Sequence, residues 1–285
     1  MKTNPSRRDM LRLAGVGLAL PLIPTHQAYS QDNSPRRKGD PDKLSLGLAS
    51  YSLREFNLEQ TLVMAQRVAL KKICLKSMHL PLDSSPEQIR AVAAQVQQAG
   101  LDLYGAGVVT MKKKSQVDQA FEYAKAAGMR VIVGVPSIDM LPLVNEKVQE
   151  YDIKVAIHNH GPEDKLFPIP SVIYNYIKAM DPRMGICMDI GHTFRAGADP
   201  AQDARHYADR LFDIHLKDET IAKPHGKTLE IGRGAIDMPA VIGSLIDTGF
   251  DGVASFEYEK DTKDPLAGLA ESVGYVRGVL ATLTG

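Results

Sequence analysis

The chain has 285 residues, of which 44% are hydrophobic, so it is long enough to bury a large core within one domain. Its 34 lysines and arginines balance its 34 aspartates and glutamates. This balance argues against a polyanionic partner, and we expect no binding to nucleic acid.

The N-terminus has the three parts of an export signal peptide. Arg7 and Arg8 precede an apolar run over 13–23, and small residues follow it. The paired arginines are typical of a twin-arginine signal, but Met10 and Arg12 replace its usual Phe and Lys, so Sec export stays an alternative. The apolar run is too short for a stable transmembrane helix. We predict a periplasmic or otherwise exported protein without a stable membrane anchor.

Three segments follow from this pattern. An export signal peptide covers 1–30, a polar leader without periodicity covers 31–42 and is predicted to be disordered, and one domain covers 43–285.

In the domain over 43–285, short apolar runs alternate with amphipathic stretches eight times, which is typical of βα units. A doubly wound sheet is disfavoured because no glycine-rich phosphate turn follows the first strand. We predict a single-domain (β/α)8 TIM barrel. The predicted strands cover 44–49, 72–77, 101–107, 130–135, 154–159, 184–190, 211–217 and 252–258, and the clearest helices cover 85–99, 116–127 and 203–210.

The two cysteines, Cys74 and Cys187, both fall inside predicted strands. A thiol packs there as a small apolar group. We therefore expect two core residues and no disulfide, although the predicted compartment is oxidising.

Side chains that can bind a metal stand at the C-terminal ends of the last four predicted strands, where a barrel of this kind places its active site. Because side chains alternate along a strand, the polar residues of each strand end share one face. A single buried His or Asp is usually a hydrogen-bonded core residue, but several carboxylates at one height would repel one another without a cation. The pattern therefore indicates a cation at the barrel mouth. The inward set is predicted to be His158, His160, Cys187, Asp189, His215, Lys217, Ser255 and Glu257.

The strings MDIGHTFRAG, DIHLKD, IGRGAIDMPAVIGSLIDTGFDGV and SFEYE, in this order and spacing, resemble the xylose isomerase-like barrels of the sugar phosphate isomerase/epimerase superfamily. The resemblance covers 43–285 and is strongest towards the C-terminus. It implies a metal held by Asp189, His215 and Glu257, and by His158, which stands where the family usually has Glu. Two imidazoles and two carboxylates favour one divalent ion of Mn, Zn, Co or Fe over Mg.

The resemblance also implies which residues act on the substrate. Glu257 is the implied catalytic base, and two-sided epimerisation is in doubt because His158 replaces a second carboxylate. His192 and Lys217 are implied in substrate binding and catalysis, with a supporting role beside Asp189 or an ion pair with a carboxylate as their alternatives. The last implied substrate contacts are His79 and His160.

We therefore expect a metal-dependent isomerase or epimerase that acts on an unphosphorylated sugar or keto-sugar through an enediolate, since no anion-binding loop is present. One alternative is a lyase that cleaves keto-sugars or oxidised glycosides by β-elimination, which needs only one base. A second is a non-catalytic sugar-binding barrel. A DNA repair nuclease of the same fold is disfavoured by the balanced charge and by the export signal. A homo-oligomer is compatible with the sequence.

Overall fold

The computed structural model describes residues 44–284, in which eight parallel strands close into one barrel. The predicted signal peptide and leader lie outside the described residues. Around the barrel the strands follow the order β1, β10, β7, β6, β5, β4, β3 and β2, so the predicted (β/α)8 fold is confirmed. The barrel strands are β1 (Ser45–Ala49), β2 (Lys72–Leu75), β3 (Asp102–Met111), β4 (Val131–Pro136), β5 (Lys154–His158), β6 (Met184–Asp189), β7 (Leu211–Leu216) and β10 (Val253–Phe256), and a separate antiparallel pair is formed by β8 (Asp218–Glu219) and β9 (Thr228–Leu229).

Helices follow the strands, and several begin with the capping residues that their sequences contain. Ser85 accepts a hydrogen bond from the backbone of Gln88, and Asn57 accepts one from Gln60, so two helices begin with complete capping boxes. Within residues 44–284, no helix is both long and apolar enough to span a bilayer. The helices are α1 (Leu58–Arg67), α2 (Pro86–Gln98), α3 (Lys114–Ala127), α4 (Leu141–Tyr151), α5 (Pro170–Ile177), α6 (Ile190–Arg195), α7 (Pro200–His206), α8 (Met238–Asp247) and α9 (Leu266–Thr284).

Several predicted boundaries are wrong, and the eighth strand, predicted over 252–258, covers only Val253–Phe256. The second strand stops at Leu75 because a turn follows, in which the backbone of His79 donates to the carbonyl of Lys76. The third strand continues to Met111 because it pairs with β4 up to that residue. The helix predicted over 203–210 is instead α7, which begins earlier because the Asp199 carboxylate caps it and a proline follows.

The core has two parts. A large apolar cluster lies between the strands and the surrounding helices, where each fully buried Leu or Phe contributes about 1.5–3 kcal/mol. A smaller cluster contains Cys74 and Cys187, and both cysteines are free, as predicted. The remaining buried members of the smaller cluster are Tyr104, Val131, Val133, Ala156, Phe212 and Val253.

A polar layer lies inside the barrel. The hydroxyl of Tyr104 donates to Asp213 Oδ2 at 2.7 Å and also contacts the hydroxyl of Ser255. The thiol of Cys187 lies 3.8 Å from Asp213 Oδ1. Burial raises the pKa of Asp213 to about 7, and the Asp213 Oδ1 atom lies 4.0 Å from the Nε2 atom of His215. This layer therefore supports the strand ends above it.

Candidate metal centre

The four predicted ligands come together at the C-terminal ends of β5, β6, β7 and β10. His158, Asp189, His215 and Glu257 are all buried, and each offers one donor atom within 4.8 Å of the others. His158 Nε2 lies 3.0 Å from His215 Nδ1 and 3.7 Å from Asp189 Oδ2, and His215 Nδ1 lies 3.1 Å from Glu257 Oε2. Donors around one tetrahedral ion lie about 3.3 Å apart, so these spacings suit a single ion.

The side chain of Asp189 is oriented by hydrogen bonds at the junction of β6 and α6. Its Oδ1 atom accepts a hydrogen bond from the backbone of His192 at 2.8 Å and so caps the helix. Asn159 accepts from the backbone of Asp189 at 3.0 Å and donates to Thr193 at 3.2 Å, which anchors this turn to β5. The other carboxylate oxygen, Oδ2, is left facing the cluster.

Asp189 Oδ2 is one of three buried side-chain atoms in residues 44–284 that have no hydrogen-bond partner. The ammonium of Lys217 lies 2.9 Å away, but it does not have the geometry of a hydrogen bond to this oxygen. A buried carboxylate oxygen without such a partner is costly. The donor set and this oxygen therefore fit a divalent ion held by the four side chains.

Three of the four side chains are in the deprotonated state that metal binding requires. Burial alone would raise the pKa values of Asp189 and Glu257, but neighbouring histidines and Lys217 hold both well below their usual range. Burial lowers the pKa of His158 well below that of free histidine, so its imidazole is neutral. Burial also opposes the charged form of His215, but the carboxylate of Glu257 raises its pKa. Binding of an ion to His215 would therefore release a proton.

Lys217 forms the ion pairs that were one of its two predicted roles. Its Nζ atom lies 2.9 Å from Glu257 Oε2 and 2.6 Å from Glu259 Oε1, in addition to its contact with Asp189. Burial opposes its charge, but these three carboxylates hold its pKa well above that of free lysine. The carboxylates thus already have one cation, and charge balance alone does not require a metal.

Two histidines lie beside the cluster and are more exposed. His160 has 38% of its side chain exposed, and its Nδ1 atom lies 3.4 Å from His158 Nδ1 and 3.4 Å from Asp164 Oδ2. His192 is 19% exposed, and its Nε2 atom lies 3.9 Å from Asp189 Oδ2. Their imidazole rings are 6.0 Å apart. Their roles in substrate binding stay predictions.

His79 is placed differently from the prediction. It lies beyond the end of β2 and is 5% exposed. Its Nδ1 atom is 2.9 Å from the hydroxyl of Ser50, and its Nε2 atom is 3.0 Å from both the hydroxyl of Thr61 and the carbonyl of Phe56. Both ring nitrogens are therefore engaged by the protein. This geometry suits a residue that supports the loop after β1 and does not fit the predicted contact with substrate.

Glu259 contacts the same lysine as Glu257 but was not among the predicted site residues. The side chain of Glu259 is 30% exposed, whereas that of Glu257 is 8% exposed. Alternation along the strand could have indicated it, because it stands two residues after a predicted ligand.

Arg195 was also missed, and it connects three parts of the rim. Its guanidinium donates to the carbonyl of Pro224 between β8 and β9, and it pairs with Glu163 in the segment between β5 and α5. Its Nη1 atom lies 3.4 Å from His192 Nδ1. No local pattern indicates its contacts with Glu163 and Pro224, because both lie about thirty residues away in the sequence.

Comparison with known proteins gives the chain a family and a set of similar folds. The curated rhizopine catabolism protein MocC of Rhizobium meliloti is 23% identical over 131 residues, which cover 41% of this chain and only 40% of MocC. The 3-keto-D-glucoside 4-epimerase YcjR from E. coli has a TM-score of 0.68 at 15% identity, covering 82% of this chain and 99% of that one. The probable 3-DHS dehydratase AsbF from Bacillus anthracis has a TM-score of 0.67 at 14% identity, covering 82% and 98%.

At 14% and 15% identity, the two structural similarities show a shared fold and nothing more. The family model described as xylose isomerase-like TIM barrel matches residues 70–279, which is most of the chain and includes all four clustered side chains. The chain therefore belongs to the xylose isomerase-like TIM barrel family.

Proposed function

We propose that this protein is a metal-dependent enzyme that moves a proton at the carbon beside a carbonyl group of an unphosphorylated sugar or keto-sugar. The observation that carries the proposal is the convergence of two imidazoles and two carboxylates, with Asp189 Oδ2 left without a hydrogen bond. His158, Asp189, His215 and Glu257 would hold one divalent ion of Mn, Zn, Co or Fe. Such an ion would polarise the substrate carbonyl and make the neighbouring C–H group more acidic.

Glu257 is the proposed base. Its carboxylate is ionised, and it lies within 3.1 Å of two groups that can carry positive charge, His215 and Lys217. A base must be deprotonated and close to the proton that it removes. The ionised carboxylate of Glu257 meets the first of these conditions. The partly exposed His160 and His192 would then bind the hydroxyl groups of the sugar.

Two outcomes follow from removal of this proton. Return of the proton to a carbon gives isomerisation or epimerisation, whereas loss of a substituent from the next carbon gives elimination. The folds of a keto-glucoside epimerase and of a dehydratase are both similar to this one, which supports either outcome. The specific observation that favours a lyase is His158, because this imidazole replaces a carboxylate that two-sided epimerisation would use.

The test is a screen of keto-sugars and keto-glycosides with protein loaded with Mn or Zn, followed by NMR in deuterated water. Isomerisation places deuterium beside the carbonyl, and elimination releases the substituent. Glu257→Gln should lower the rate by about a hundredfold or more, because an amide cannot accept the proton. Glu150→Gln, a change at an exposed glutamate on α4, is the matched control. Unchanged deuterium uptake in Glu257→Gln would place the base elsewhere, and sugar binding without any turnover would favour the non-catalytic barrel.

His158→Glu separates the two reactions. An isomerase should gain a second carboxylate for proton exchange, so deuterium exchange at the substrate carbon should increase. A lyase should slow down, because the added negative charge weakens the electrophilic character of a bound ion.

A further inference from the structure

Two cations lie against one aromatic ring at the barrel mouth. Tyr51 follows β1, and its ring centroid lies 4.4 Å from the guanidinium carbon of Arg54 and 5.3 Å from the ammonium nitrogen of Lys76, which follows β2. All three residues are half-buried. The face of an aromatic ring attracts cations at this distance, so the three side chains form one unit. We call Tyr51, Arg54 and Lys76 the cationic pocket.

Neither cation of the cationic pocket has an acidic partner. Arg54 donates to the carbonyls of Tyr51 at 3.0 Å and Glu259 at 3.4 Å, and Lys76 donates to the carbonyl of Val108 at 3.5 Å. Within the described part of the chain, no ion pair shorter than 4.0 Å is formed by either one. Lys217, by contrast, contacts three carboxylates. Positive charge that is partly buried and not paired favours a bound anion.

The cationic pocket lies across the barrel from the strand that carries Asp189 of the candidate metal centre. Lys76 follows two residues after Cys74, which lies in the smaller core cluster, so alternation turns Lys76 inward at the mouth. In the strand order, β2 lies across the barrel from β6, which carries Asp189. Burial lowers the pKa of Lys76, and the charges of Glu257 and Glu259 oppose this shift.

We propose that the cationic pocket binds an anionic substituent of the substrate, so that a sugar lies with this group on Arg54 and Lys76 and its reacting carbons on the metal side. This inference rests on the proposed function and adds a substrate class to it, namely a sugar that carries an oxyanion. A carboxylate, as in a sugar acid, and a phosphate share this chemistry. The planar guanidinium of Arg54 can bind both oxygens of a carboxylate, and the proposed substrate is unphosphorylated, so we expect a sugar acid.

The test measures binding and does not depend on turnover. Zinc-loaded protein is titrated by calorimetry at low salt with methyl glucoside, methyl glucuronide and glucose 6-phosphate. The glucuronide should bind about tenfold to a hundredfold more tightly than the glucoside. Lys76→Met and Arg54→Met should each reduce this preference without abolishing binding of the glucoside, and Lys76→Arg should retain it. The control is Lys71→Met, which removes an exposed lysine just before β2, at the opposite end of the strand.

Each result of the titration either supports or overturns the inference. A preference for the glucuronide that disappears in Lys76→Met supports the inference and identifies a carboxylate. The same result with glucose 6-phosphate would support the anion site but overturn the unphosphorylated substrate of the proposed function. Equal, zinc-dependent binding of charged and neutral sugars would overturn the inference and leave the proposed function intact. A preference that survives in both Met variants would also overturn it. No binding by any of the three sugars would overturn the inference, whereas the proposed function is decided separately by the screen of keto-sugars in deuterated water.

Discussion

The ammonium of Lys217 lies 2.9 Å from the Oε2 atom of Glu257, the same atom that lies 3.1 Å from His215 Nδ1. A fixed cation therefore contacts a carboxylate that is also a predicted metal ligand. In the metal-free protein the neighbouring histidines and Lys217 together compensate the buried charge of Glu257 and Asp189. In the metal-loaded protein it would share that role with the ion.

Lys217→Met should separate the contribution of Lys217 to charge compensation from that of a bound metal ion. Without metal the variant should lose about 3–5 kcal/mol of unfolding free energy, because it leaves buried carboxylates without their cation. Zinc should then raise the melting temperature of the variant by more than it raises that of the wild type. Calorimetry with and without zinc measures both effects. Lys114→Met, which removes an exposed pair with Asp118, should change little. Equal zinc effects in the variant and the wild type would contradict the shared role.

His158 and His160 provide a matched pair for the ligand assignment. They stand two residues apart, but only His158 belongs to the four-residue cluster. His158→Ala should weaken zinc binding by about a hundredfold or more, and His160→Ala should weaken it by less than about tenfold. Isothermal titration with zinc measures both affinities. A larger loss in His160→Ala would show that the other imidazole is the ligand.

Asp213 should make stability depend on pH. Its pKa is raised from 3.8 to about 7, so the folded protein keeps a proton that the unfolded chain has lost between these values. This carboxyl group therefore makes the folded state less stable as the pH rises through that window. Asp213→Asn does not titrate, so its stability relative to the wild type should improve between about pH 4 and pH 7. Denaturant unfolding of the metal-free proteins measures the difference, with the exposed Asp251→Asn as control. A difference that is independent of pH would argue against the raised pKa.

Export through the twin-arginine route stays a prediction, because residues 1–30 lie outside the described residues. A fusion of residues 1–40 to a reporter that works only after folded export should be active. Replacing Arg7 and Arg8 by lysine should abolish that activity. Loss of export only when Sec is blocked would indicate the other route.

The strand ends could be predicted because their signal is local. Apolar residues alternate with polar ones over a few positions, so the sequence alone indicates that Asp189 and His215 share one face with Glu257. His79 could not be placed in this way, because Ser50 and Thr61 hold it and both lie well before it in the chain. The same limit applies to features that depend on contacts between the ends of neighbouring strands. The contact of Arg54 and Lys76 with one ring is such a feature, and so is the three-carboxylate contact of Lys217.

The contacts of Arg195 connect more side chains on one side of the barrel rim than are connected on the other side. On the side of β5 to β7, this one residue ties Glu163, His192 and Pro224 together, so a change in any of them disturbs the others. On the side of β1 and β2, Arg54 and Lys76 donate to carbonyl groups and lie against the ring of Tyr51, and neither of them forms an ion pair within the described residues, so we expect exchange of these two cations to disturb fewer side chains. Selection for a new substrate would therefore proceed mainly through the side of β1 and β2. The four clustered side chains His158, Asp189, His215 and Glu257 would stay constant while the substrate changes.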